Sequence, residues 1–175
     1  MIKLLRKRRS IRKYAKKPVP ASVQKRLVEA LLRSPSSRDI RPWQFIMVDD
    51  PALLAKLSRS KAHGAEFLAR APLGIVLCGD ETRSDVWIED CSIASIIAQL
   101  AALELGIGSC WIQIRNRLTA DGMSSETYVR DALALPVTFR VLSMIALGYP
   151  AEKKRPVPRK KLLYKNIFRN QWGER

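Results

Sequence analysis

The sequence predicts an α+β fold in which helices flank a mixed sheet. Three observations carry this expectation. Apolar residues recur at helical spacing in several segments, short apolar runs closed by turn residues alternate with them, and no stretch is of low complexity. A chain of 175 residues with 47% apolar content suits one packed domain. After a basic start, Pro18 and Pro20 interrupt any helix. Val23, Leu27, Ala30 and Leu31 then follow a helical period, with Ser22 as the expected N-cap. That helix should stop near Ser34-Pro35, because the residue before proline avoids the α region. SPSSRDIRP is a loop by composition. Residues 44–48 read as a strand closed by Asp49-Asp50-Pro51, and residues 51–60 as a short amphipathic helix. Residues 73–78 are continuously apolar, as in a strand buried on both faces. Residues 87–105 form the longest helix, apolar on more than one side and so central or at an interface, and Gly106 and Gly108 end it. A strand over 109–114, a helix over 124–134 before Pro136 and a long strand over 138–147 complete the body. The expected domain spans residues 1–175, with an extended basic arm from about residue 151.

Charge is distributed unevenly. The net charge is +16, with +12 in residues 1–41, −3 in residues 42–151 and +7 in residues 152–175. Two basic ends flanking a mildly acidic body suggest an anionic partner, either nucleic acid or a phosphorylated cofactor held by both ends. The nucleic-acid reading rests on charge alone. Interleaved exposed aromatics and the signatures of helix-turn-helix or RNA-binding modules are missing from the sequence. Residues 93–103, the longest mostly apolar stretch, include Ser95 and Gln99 and fall short of the ~20 apolar residues of a membrane span. The basic MIKLLRKRRS start is followed by RKYAKKP and not by an apolar run, so no signal peptide is expected. Cys78, Cys91 and Cys110 are odd in number and lack metal-ligand spacing, which fits a reduced, cytoplasmic chain.

Most catalytic signatures fail. His63 is the only histidine, which removes a Ser-His-Asp triad and a multi-histidine zinc site. No phosphate-cradling GxxxxGK[ST] loop occurs, and Gly106-Ile107-Gly108 runs into Ser-Cys-Trp, unlike a dinucleotide fingerprint. Cys110 reads as a small core residue. The acid pairs Asp49-Asp50 and Glu89-Asp90 fall at a turn and on a helix face, where solvation accounts for them. A chain with so little chemistry of its own would act through a cofactor.

Four segments read together are specific: Arg8-Arg9-Ser10-Ile11-Arg12 with Tyr14 and Pro18-Val19-Pro20; Ser34-Pro35-Ser36-Ser37 leading to Pro42-Trp43-Gln44-Phe45; Gly106-Ile107-Gly108-Ser109-Cys110-Trp111-Ile112 after the long helix; and Leu147-Gly148-Tyr149-Pro150 with Arg159 beyond. In these segments the chain resembles the FMN-dependent nitroreductase family from Arg8 to about Lys161. The resemblance implies a homodimer with FMN as cofactor and NADH or NADPH as electron donor. A nitroaromatic, quinone or similar conjugated compound would be the acceptor. Ene-type reduction, dehalogenation and flavin-consuming oxidation are alternatives within the family.

The residue types suit that cofactor. Arg8, Arg9, Ser10 and Arg159 supply the fixed charge and directional donors that a phosphate needs, and the resemblance brings both basic ends to one phosphate. It also places Arg12 at the pyrimidine edge of the ring, where a cation stabilises reduced flavin. Arg33, Ser36 and Ser37 resemble the segment reaching the flavin from the partner subunit. Trp111, Ile112 and Gln113 resemble the strand lying along the isoalloxazine. No side chain need act as a nucleophile, because flavin N5 carries the hydride. The chain departs from the family pattern at Asp39 and Arg41, which stand where the second motif usually has Asn and Gln and which are expected to form an ion pair.

Overall fold

The computed structural model describes residues 1–173; Glu174 and Arg175, at the end of the expected domain, lie outside the described residues. Its elements run α1 (Ile2–Lys7), α2 (Ala21–Leu32), β1 (Trp43–Val48), α3 (Pro51–Leu57), β2 (Leu73–Asp80), α4 (Trp87–Glu104), β3 (Gly108–Gln113), α5 (Ser125–Ala132) and β4 (Phe139–Gly148). The strands pair in the order β1-β2-β4-β3, antiparallel throughout. The sheet is thus antiparallel where a mixed one is expected, and the isolated parallel bridge between Ser10 and Ser109 lies outside its strands.

The apolar run of β2 lies in the middle of the sheet because both of its faces are covered. Ile75 and Leu77 face α2 and α4, packing with Leu27, Leu31, Ala94, Ala98 and Ala102. Val76 and Cys78, one residue out of phase, face the other layer with Ile11, Tyr14, Leu54, Leu57 and Val129. Burial pushes the Cys78 thiol up to about 12. Ala94, Ala98 and Ala102 form a narrow stripe that lets α4 sit close to the sheet, while Ile93 and Ile96 on its other side remain 41% and 38% exposed. Trp87 fixes the start of α4: a Cβ on Gly79 would lie 2.6 Å from its ring.

Several local expectations change. Pro20, not Ser22, occupies the N-cap of α2, and Ser22 falls in its first turn. Asp50 is not merely solvated, since its side chain accepts the N–H groups of Ala52 and Leu53 and caps α3. The helix α1 was not expected; it is six residues long and buries none of them. The arm is extended but contains 3₁₀ turns at Arg159–Lys161 and Tyr164–Asn166.

The segment after α1 joins the two ends of the chain. Ile11 N–H donates to Ser109 O at 3.0 Å, Ala15 N–H to Tyr149 O at 2.9 Å and Ala151 N–H to Lys13 O at 2.9 Å. The buried Tyr14 hydroxyl donates to Ile11 O at 2.5 Å and lies 3.2 Å from Ala146 O. Residues 10–15 are thereby stitched between the outer edge of β3 and the chain leaving β4.

Candidate functional site

That stitching brings together basic residues from opposite ends of the sequence. A cavity of about 170 Å³ is lined by Arg8, Arg9, Gln99, Gly108, Ser109 and Lys154, among others. Gly106, at φ +75°, ends α4 and forms part of its floor. A neighbouring groove of about 540 Å³ between α1 and the arm is lined by Arg6, Arg8 and Arg159 with Ile2, Leu162 and Tyr164. Arg8 faces both. The Arg9 guanidinium donates to Arg155 O, tying the N-terminal segment to the arm. Arg159 Nε donates to the Tyr164 hydroxyl at 3.4 Å.

Glu152 is the carboxylate in the smaller cavity, and it is engaged. It accepts the backbone N–H groups of Arg12 at 2.6 Å and Lys13 at 3.2 Å, and pairs with Lys154 at 3.5 Å. The Arg12 amide, followed by the Lys154 charge, holds its carboxyl below the ordinary value. Arg8 and Arg9 are half-buried and form no ion pair among the described residues. The cations also converge on β3: burial pushes the Cys110 thiol up, while Arg12, a Ser10 hydrogen bond, Lys154 and Arg8 oppose the rise. Cys110 is 1% exposed, as expected of a core residue.

The outer edge of β3 is open beyond this point. Along a strand, the N–H and C=O of alternate residues face the same neighbour. Ser109 turns its carbonyl outward to Ile11, so Trp111 and Gln113 present their backbone groups to the same edge. Their side chains form a short chain of hydrogen bonds, Trp111 Nε1 to Gln113 Oε1 at 3.1 Å and Gln113 Nε2 to Arg115 O at 2.9 Å. Ile112 requires a correction. It is 1% exposed in the core, and its backbone faces β4 at Met144, so it offers neither side chain nor backbone to a ligand on that edge.

Arg12 is exposed, with its guanidinium 5.6 Å from the centre of the Phe67 ring. Lys61 lines a different groove, with Arg59, Glu66, Thr119 and Tyr128, where Ala62 N–H donates to Leu118 O at 3.0 Å. Burial and then the neighbouring Arg117 charge lower the Lys61 pKa.

Arg33, Ser36 and Ser37 do not join these residues within the chain. Arg33 pairs with Glu29 on its own helix at 2.8 Å. Ser36 Oγ accepts Arg41 N–H at 2.8 Å, and Ser37 N–H donates to Asp90 Oδ1 at 2.9 Å. The expected ion pair is present, with Arg41 Nε 2.7 Å from Asp39 Oδ1. Asp90 is 3% exposed, so solvation does not account for it. Its position three residues after Trp87 and four before Ala94, in the buried stripe of α4, is the sequence signal for its burial.

Comparison with known proteins agrees with this geometry. The model of the nitroreductase family matches residues 5–65 and 55–149. The solved structure of an FMN-dependent nitroreductase from Clostridium difficile R20291 superposes with a TM-score of 0.96 at 43% identity, covering 98% of this chain and 100% of that one. A protein of Archaeoglobus fulgidus, provisionally named an NADH dehydrogenase/NAD(P)H nitroreductase, is 34% identical over 157 residues, 87% of each chain. An FMN reductase [NAD(P)H] of Bacillus subtilis is 27% identical over 98% of this chain and 75% of its own. With the open edge of β3 and the basic segments gathered beside it, these matches show that the chain belongs to the nitroreductase family.

Proposed function

We propose that the chain is a homodimeric, FMN-dependent oxidoreductase that passes electrons from NADH or NADPH to a nitroaromatic, quinone or related conjugated acceptor. The observation that carries this reading is the convergence of both basic ends on one small cavity beside the open edge of β3. A dianionic phosphate ester suits the donor set. Lys7, Arg8, Arg9 and Lys154 line the cavity, and its carboxylate Glu152 is already taken by the Arg12 and Lys13 amides. The two basic blocks then serve a single site, which accounts for the charge without a nucleic-acid partner.

In this reading Arg8 and Arg9 hold the phosphate in the cavity, Ser10 adds a donor from the adjoining segment, and Arg159 faces it from the neighbouring groove that shares Arg8. Arg12 brings its charge to the pyrimidine edge and favours the reduced, anionic ring. Trp111 and Gln113 supply outward backbone groups along the ring. When bound, FMN supplies the hydride acceptor and donor at its N5. The chain's task is to bind, orient and tune, and no side chain is required as a nucleophile.

The second subunit follows from what is left uncovered. Ile93 and Ile96 on α4 and Leu162, Leu163, Tyr164 and Ile167 on the arm are exposed, an apolar surface suited to a second copy. Arg33, Ser36 and Ser37 of one chain then reach the flavin of the other. Among the described residues, no helix is long and apolar enough to cross a membrane. The three buried, unpaired cysteines suit the cytoplasm.

The test is an absorbance spectrum of the purified protein and a donor-oxidation assay with a nitroaromatic and a quinone. A yellow protein that consumes NADH or NADPH only with an acceptor supports the reading. A colourless protein that leaves the fluorescence of added FMN unquenched overturns it.

A further inference from the structure

Asp90 is a buried carboxylate whose cost to the fold is not repaid by packing. It lies 3% exposed on the first turn of α4, among Trp87, Cys91 and Ala94. Its Oδ2 has no hydrogen-bond partner, and it forms no ion pair among the described residues. Burying an acceptor without a partner is unfavourable, and an apolar residue of similar size would serve the core better. What the carboxylate does supply is one charge-assisted hydrogen bond, from Ser37 N–H to Oδ1 at 2.9 Å, across 53 residues of sequence.

The turn at the other end of that bond is strained. Arg38, Asp39 and Arg41 have φ of 52°, 54° and 52°, in the left-handed region that residues with a Cβ adopt at a cost. The turn is also clamped elsewhere: Arg38 pairs with Asp85, and Arg83 Nη2 donates to Ile40 O at 2.9 Å. These clamps are exposed and screened by water. The bond to Asp90 is made to an acceptor shielded from water, so it should dominate.

We infer that Asp90 is a positioning residue: through the Ser37 amide it holds the Ser36–Ser37 turn in the shape with which the turn meets a partner's flavin. The inference rests on the proposed role of that turn. Its cost to the fold is accepted for the shape of the turn, so stability and flavin binding should respond in different ways.

The experiment compares the FMN-loaded dimer with Asp90→Ala and Asp90→Asn, reading three quantities. These are amide exchange at Ser37 by NMR, FMN release on dilution and the thermal midpoint. Asp90→Ala should speed Ser37 exchange and weaken FMN about 10-fold, the low end of what one charge-assisted hydrogen bond is worth. Its thermal midpoint should fall by no more than reflects the ~1.4 kcal/mol that 10-fold weaker FMN binding removes. Asp90→Asn, whose amide oxygen still accepts, should restore both Ser37 protection and FMN affinity. Unchanged Ser37 exchange in Asp90→Ala overturns the inference. So does an alanine variant that unfolds or melts well below the wild type, because Asp90 would then serve the core. A wild-type protein that binds no FMN overturns the flavin reading instead, and Ser37 exchange then still decides whether Asp90 holds the turn.

Discussion

Arg8→Ala should separate the binding of a phosphate from the folding of the chain. Arg8 is half-buried, faces both the small cavity and the groove under the arm, and forms no ion pair among the described residues. Its neighbours Lys7, Arg9, Lys154 and Arg159 are cations, and the one carboxylate beside them, Glu152, is engaged by Lys154 and the Arg12 and Lys13 amides. In the free protein its charge is therefore repelled on several sides, and removing it should leave the unfolding midpoint unchanged or slightly higher. With a phosphate in the cavity the balance reverses. One charge-assisted contact from a partly desolvated guanidinium is worth about 1.5–3 kcal/mol, so FMN affinity should fall about 10- to 150-fold. Riboflavin has the same ring and no phosphate, and its affinity should change by less than about threefold. The assay is flavin fluorescence quenching at fixed salt, because surface charge effects depend on ionic strength. Equal losses for FMN and riboflavin would refute the phosphate role of Arg8, whatever the activity of the variant.

Arg12→Gln should shift the flavin reduction potential to more negative values with FMN still bound, since a fixed cation at the ring edge favours the anionic reduced form; an unchanged potential in the fully loaded variant removes Arg12 from this role. Glu152 has its carboxyl held below the ordinary 4.5, so its stabilising ties to Arg12 and Lys13 are fully present above pH 4.5 and fade as pH falls through the lowered value. The stability advantage of the wild type over Glu152→Gln, read from thermal midpoints, should accordingly disappear on acidification below that window, and a constant difference contradicts the assignment. Ile97→Asp, on the outer side of α4, should release FMN and yield monomers by light scattering at the same concentration. Gly79→Ala would place a Cβ 2.6 Å from the Trp87 ring, and urea unfolding should show a loss of about 1–3 kcal/mol from overpacking.

How far the fold could be read from the sequence depended on whether a signal was local. The apolar run of β2, the loop from Ser34 and the long apolar helix α4 all follow from composition and period, and the structure places them within a few residues of expectation. The helix α1 is short: its six residues bury none of their side chains, and its apolar pair Ile2 and Leu5 spans less than one turn, too little for a periodic signal. Asp50 and Asp90 looked alike as half of an acidic pair, yet one caps α3 and the other lies buried under the Ser36–Ser37 turn. Only tertiary contact distinguishes them. The same holds for the site. Arg8, Arg9 and Arg159 were visible as basic residues, but their approach depends on the strand-like stitching of residues 10–15 between β3 and β4. The family resemblance places Ile112 at the site with its strand, and the two-residue period of that strand moves it to the core.

The most direct test is a crystal structure of the protein with FMN bound. The account predicts a dimer in which the phosphate lies against Arg8, Arg9, Ser10 and Arg159 of one chain. The ring should run along the outward edge of Trp111 and Gln113, with Ser36 and Ser37 of the other chain against it. A flavin whose phosphate touches neither basic segment, or one held by a single chain alone, would contradict it.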